Sequence, residues 1–139
     1  MFQKFEGVIW DWNGTLLDDT EIAVQVMNKI LDRRNIPQLS IDRYKEVFTF
    51  PVRDYYQKIG FDFDKEPFEI PASEFILHYN DLVNNCQLHK DSIQVLTYFK
   101  QLELPQFILS AMQQETLNQC LDRYQIPNFF EFISGLGDH

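Results

Sequence analysis

The densest chemistry in the sequence follows a short β-branched run. Val8-Ile9-Trp10 ends on an acid, and Asp11-Trp12-Asn13-Gly14-Thr15-Leu16-Leu17-Asp18 comes next. An aspartate at the end of a buried strand has a fixed backbone and points into the crevice beyond, where it can act as an in-line nucleophile. Gly14 lets the chain turn close to a ligand, and main-chain N–H groups in such a turn can donate to anion oxygens. A second apolar run, Gln106-Phe107-Ile108-Leu109, ends on Ser110 and is followed by a helical pattern. Ligands of open parallel sheets bind beyond the carboxyl ends of the strands, which singles out Asp11 and Ser110. Each has a plainer use alone, Asp11 as a turn cap and Ser110 as a helix cap. Asp18 and Asp19 read as helix caps, Trp10 and Trp12 as packing residues, and His78 and His89 as surface or helix residues without partners at ligand spacing. Arg53 reads as a residue of a solvated face.

The elements that must position these residues follow from periodicity. Ile22, Ala23, Val26, Met27, Ile30 and Leu31 recur at helical spacing from Thr20 to about Asn35-Ile36-Pro37. Ser40 caps a short helix through Val47, and Pro51 opens another that stops at Gly60. Residues 61–71 read as a loop. Ala72 to Cys86 is predicted helical, with Phe75, Ile76, Tyr79, Leu82 and Val83 on one side, and a further helix runs from Asp91 to Leu102. After the strand ending at Ser110 come a helix through Leu117, Cys120, Leu121 and Tyr124, and a third strand over Phe130–Ile133. Strands alternating with helices imply right-handed βαβ crossovers and a parallel sheet. The fold class is therefore α/β, with a three-stranded parallel sheet. Residues 1–19 and 87–139 are expected to form the core, with 20–86 as an inserted helical cap.

The segment from Asp11 to Asp18, set after a hydrophobic strand, resembles the first motif of the haloacid dehalogenase superfamily, Asp-x-Asp-Gly-Thr-Leu-x-Asp. The helical insertion just after it, Ser110 at the end of the next strand, and Phe129-Phe130-Glu131-Phe132-Ile133-Ser134-Gly135 near the terminus look like the phosphoglycolate-phosphatase-like branch. The resemblance implies a partial Rossmann-like core with a helical cap. It makes Asp11 the nucleophile of an aspartyl-phosphate and a Mg²⁺ ligand, with the carbonyl of Asn13 as a second ligand. It gives Gly14, Ser110 and the amide of Ala111, at a helix N-terminus, to the phosphate. The substrate implied is a small phosphorylated metabolite.

Two departures follow. Asn13 stands where the family has its second aspartate, the acid that protonates the leaving alcohol, and an amide exchanges no proton near neutral pH. The family's later lysine and acidic pair are also missing, since both follow the strand that closes at Ser134, and Asp138 fits neither role. A fragment of a longer phosphatase is the first expectation, and a degenerate, non-catalytic binding module the second. A mutase on the same scaffold is disfavoured, because it too needs the acid. The missing strand would leave Gly7-Val8-Ile9-Trp10 as an open edge, which predicts self-association.

Composition sets limits. Of 139 residues, 21 are acidic and 12 basic, a net charge of −9, which argues against nucleic acid and anionic membranes as partners. No run approaches the length of a membrane span, and two cysteines make no disulfide framework, so a cytoplasmic protein is expected.

Overall fold

In the computed structural model, which describes residues 4–137, the elements run β1 (Val8–Trp10), β2 (Leu17–Asp18), α1 (Thr20–Asp32), α2 (Ile41–Val47), α3 (Val52–Lys58), α4 (Glu69–Leu82), β3 (Gln87–Leu88), α5 (Ser92–Gln101), β4 (Gln106–Gln113), α6 (Gln114–Arg123) and β5 (Phe132–Leu136). By internal contacts the chain forms two compact units. One is Met1–Asp19 with Cys86–His139, and the other is Thr20–Asn85.

The first unit holds a three-stranded parallel sheet in the order β1-β4-β5, the expected α/β class. Strand order and chain order run the same way across it, so two right-handed crossovers place α5 and α6 on one face. On that face Gln106, 1% exposed, accepts from Trp10 Nε1 at 2.9 Å and donates to the Leu96 carbonyl of α5 at 2.9 Å. Ile108, Leu96, Leu117, Leu121 and Ile126 are buried there. The register Ile9↔Phe107↔Phe132 puts the alternate residues on the opposite face. It is bare: Ile9 is 71%, Leu109 61% and Phe132 62% exposed. Among the described residues β1 pairs only with β4. Antiparallel β2 and β3 form a separate two-stranded ribbon, Leu17 opposite Leu88, reinforced by His89 N–H and Ser92 Oγ–H on the Leu16 carbonyl at 2.9 and 3.0 Å.

The second unit is helical, around Val26, Met27, Ile30 and Leu31 of α1, Val47 of α2, and Tyr55, Tyr56 and Phe61. Ser40 caps α2 through Arg43 N–H at 3.0 Å. Arg34 holds Glu66 at 2.6 and 3.1 Å and Glu74 at 2.8 Å. Arg53 lies 4.6 Å from the Phe63 ring centroid.

Several expectations need correction. The second strand does not stop at Ser110. It continues to Gln113 through an irregularity in which β4 advances from Leu109 to Gln113 while β5 advances only from Ser134 to Leu136. Two extra residues are thus accommodated on β4 as a bulge. Gly135 sits against it, and a Cβ there would lie 2.5 Å from the Met112 carbonyl oxygen. The third strand begins at Phe132, because Pro127–Phe129 form a 3₁₀ turn first. Pro51 is the N-cap of α3. Helix α4 starts at Glu69, with Pro71 in the first turn, where a missing N–H costs no helical bond. It ends at Leu82, and Ile76, expected on the packed side, is 58% exposed.

One-sided packing has a direct test. Leu96→Ala should cost about 2–5 kcal/mol, whereas Ile9→Ala should stay within about 0.5 kcal/mol, both read by urea denaturation. An Ile9 loss as large as that of Leu96 would mean the second face is packed.

Candidate active site

The turn after β1 is built on one main-chain oxygen. The carbonyl of Trp12 accepts from the amides of Thr15, Leu16 and Leu17 at 3.2, 3.1 and 3.1 Å. The Trp12 side chain is fully buried, its ring 6.2 Å from that of Tyr124, and its Nε1 finds no hydrogen-bond partner among the described residues. Gly14 takes φ +75°, while the nearest atom to a Cβ there, Asp19 Oδ1, is 4.0 Å away. Backbone conformation and not space is what calls for glycine. The Gly14 amide donates to the Leu17 carbonyl at 2.9 Å, so it is already engaged inside the turn.

Asp11 is exposed just beyond β1, and its Oδ1 accepts from the Trp12 amide at 2.8 Å. That bond fixes one oxygen and presents Oδ2. Asn13 is half-buried and joins two elements. Its Nδ2 donates to Asp19 Oδ2 at 3.1 Å, and its Oδ1 accepts from Ser110 Oγ on β4 at 3.3 Å. Ser110, 7% exposed, also accepts the Met112 amide at 3.1 Å through Oγ.

Ala111 is exposed and lies in the bulge. It does not stand at the N-terminus of α6 as expected. That helix begins at Gln114, because β4 runs on, and its first turn is capped by the Gln113 side chain on Thr116 N–H at 2.9 Å. Asn13 and Ser110 are thus brought into contact, while Asp11 is oriented by its own neighbour.

Sequence reasoning missed Asp19. It is 5% exposed and bonded to Asn13, a pairing whose only signal was a second acid directly after Asp18. His89 Nε2 lies 4.0 Å from Asp18 Oδ1 and His78 Nε2 3.1 Å from Arg33 Nη2. Cys86 and Cys120 are buried and not disulfide-bonded. Burial, with the charges of Asp19 and Asp18, pushes the Cys86 thiol up to about 11, and burial also raises Cys120. Tyr124 O–H donates to the Cys86 carbonyl.

For a metal, the expected donors are the Asp11 carboxylate and the Asn13 carbonyl. Among the described residues no group of three or more His, Cys, Asp or Glu is placed to hold one. Mg²⁺ usually keeps several waters and takes one or two carboxylates with the substrate's phosphate, so these two oxygens would make part of its shell.

A family model described as haloacid dehalogenase-like hydrolase matches residues 8–139. Solved structures share the fold. A protein described as a haloacid dehalogenase-like hydrolase from Bacteroides fragilis aligns with TM-score 0.82 at 19% identity, covering 94% of this chain and 63% of its own. One described as a predicted phosphoglycolate phosphatase from Haemophilus somnus 129pt gives 0.75 at 17%, covering 95% and 63%. Protein tyrosine kinase A of Mycobacterium tuberculosis gives 0.82 at 18%, covering 96% and 61%. The chain therefore spans about three-fifths of the length of these structures. No curated protein matches it.

The thiols give a pH test. A Cys86 pKa raised from 9.0 to about 11 means the fold holds the neutral form. Its contribution is whole below the ordinary value and is lost as pH rises through the folded one. Urea midpoints should fall across that window, and Cys86→Ala should flatten the fall. Iodoacetamide at about pH 8 should label both thiols only after unfolding, since the thiolate is the reactive form.

Proposed function

The chain belongs to the haloacid dehalogenase-like hydrolase family, and from that premise we propose that it is the nucleophile-bearing part of a Mg²⁺-dependent phosphomonoester hydrolase, phosphoglycolate-phosphatase-like, acting through an aspartyl-phosphate on Asp11. The observation that carries this reading is the exposed Asp11 carboxylate beyond β1, one oxygen fixed by the Trp12 amide at 2.8 Å. In the first step Asp11 Oδ2 attacks phosphorus, the Oδ2–P bond forms, and the ester P–O bond breaks. In the second, water attacks phosphorus, the Oδ2–P bond breaks, and inorganic phosphate leaves with Asp11 restored.

Asn13 has no proton to give the leaving oxygen, so water must supply it. General acid–base catalysis is typically worth about 10²–10⁴ in rate, so esters with good leaving groups are favoured. Ser110 would exchange its bond to Asn13 Oδ1 for a phosphate oxygen, with Gly14 and Ala111 lining the same place. Held by the Asp11 carboxylate and the Asn13 carbonyl, Mg²⁺ would supply charge neutralisation at the phosphoryl group, with its remaining ligands from outside residues 4–137. The substrate class is a small phosphorylated metabolite.

In the whole protein of which this chain would be the nucleophile-bearing part, trapping by beryllium fluoride with Mg²⁺, read by ¹⁹F NMR, should occur in the wild type and vanish in Asp11→Asn, whereas the 139-residue chain alone should be inactive or weakly active. Wild-type turnover of an aryl phosphate should exceed that of an alkyl phosphate. Asn13→Asp should raise alkyl ester turnover by about tenfold or more, toward the range that acid catalysis supplies. An unchanged or lower rate would refute the role of position 13.

A non-catalytic binding module is the second reading. It is favoured by the Gly14 amide and the Ser110 hydroxyl both being engaged within the protein. Absence of both trapping and turnover would decide for it.

The same proposal includes a cytoplasmic setting, supported by two buried thiols without a disulfide. Among the described residues no helix is long and apolar enough to cross a membrane. It also includes self-association of two copies through the outer edge of β1, supported by the uncharged, exposed face that Ile9 begins. Sedimentation should show a dimer that Ile9→Lys dissociates; a wild-type monomer at all concentrations would remove this part.

A further inference from the structure

The phosphatase reading leaves one side chain unused at the heart of the turn. Asp19 is 5% exposed, and its Oδ2 receives the Asn13 side-chain amide at 3.1 Å. A buried carboxylate demands donors, and a carboxylate can only accept. Asn13 must therefore turn Nδ2 toward Asp19, which leaves Oδ1 as the atom facing Ser110 Oγ, 3.3 Å away. Ser110 in turn takes the Met112 amide on the same oxygen at 3.1 Å, so its hydroxyl proton is the one directed at Asn13. One carboxylate thus sets the orientation of an amide and, through it, of a hydroxyl on another strand.

Resting on the phosphatase reading, we infer that Asp19 is a positioning residue of the phosphate site, acting through Asn13 to fix where the Ser110 hydroxyl points. It also accounts for the residue type at position 13. A carboxylate there would bring acceptor against acceptor, with no N–H to give Asp19 Oδ2. With aspartate at 19, the turn is built for an amide at 13. The reciprocal swap Asn13→Asp/Asp19→Asn keeps the bond with donor and acceptor reversed.

The test uses the 139-residue chain, with inorganic phosphate as the probe. In ¹⁵N-resolved spectra the Asn13 Nδ2 protons report the bond directly. Asp19→Asn should shift them, and the swap should return a comparable signal from the new amide at 19. An amide at 19 donates as well as accepts, so Asp19→Asn lifts the requirement that Nδ2 of Asn13 face it and loosens the direction of the Ser110 proton, and phosphate affinity should change. That change should shrink in an Asn13→Ala background. The coupling between the two sites should reach about threefold or more in affinity, within the span shown by neighbouring residues. A purely structural or long-range charge effect of Asp19 would give the same change in both backgrounds.

Asn13 amide signals that stay put in Asp19→Asn, or a cycle that closes without coupling, overturn the assignment. Should Asp19→Asn not fold, the swap carries the test, and a swap that also fails to fold overturns it too. Failure of the underlying reading shows differently. If Ser110→Ala and Asp11→Asn both leave phosphate affinity and beryllium fluoride trapping as in the wild type, the phosphate site itself is wrong, while the Asn13 signals still judge the Asp19 bond.

Discussion

The carbonyl of Trp12 is the hub on which the site depends. Three successive amides, those of Thr15, Leu16 and Leu17, close onto it, and the indole it belongs to is sealed in the core. Its own amide holds Asp11, so the residue that anchors the turn on one side orients the carboxylate on the other. The anchoring is costly. Among the described residues the Trp12 indole N–H has no partner; a buried, unsatisfied N–H carries a penalty of about 1–3 kcal/mol, which ring burial must offset. An acid between two tryptophans is thereby displayed on a rigid support while its neighbour's side chain points inward.

Rigid display by itself does not assemble a site. Assembly comes from the parallel pairing of β1 with β4, which sets Trp10 beside Ile108 and brings the loop after one strand next to the bulge in the other. Asn13 and Ser110 are 97 residues apart in sequence and touch because of that register. The monotonic strand order has a second effect. It gathers both crossover helices on the Gln106 and Ile108 face and leaves Ile9, Leu109 and Phe132 in water.

What could be read from the sequence tracks how locally each feature is determined. β1, α1 and the Ser40 cap of α2 are written in a few adjacent residues, and they stand where periodicity and capping put them. Ser110 looked like a strand end because serine and the polar run after it usually stop pairing. β4 instead continues past it, since β5 supplies a glycine that tolerates the crowding. β2 and β3 are two residues each, too short to show any alternation. Burial of Asp19 was invisible for another reason: an acid before a helix reads as a cap, and only the fold reveals that its partner is the amide six residues earlier. The haloacid dehalogenase-like motif was legible as a string. The hydrogen-bond directions that decide what its side chains can do were not.

The close approach at Gly135 has a consequence for how β5 finds its place. A one-residue slip of β5 would turn its buried side chains to the bare face, so one-sided burial already sets the alignment of these strands. Here the Met112 oxygen leaves room for one residue type alone, and Ser134 and Leu136 on either side both carry the carbon that would collide with it. The pinch indexes the last strand like a notch under a pawl, shutting out the adjacent alignments that would bring Ser134 or Leu136 to it, and the serine-bearing bulge is held in step with it.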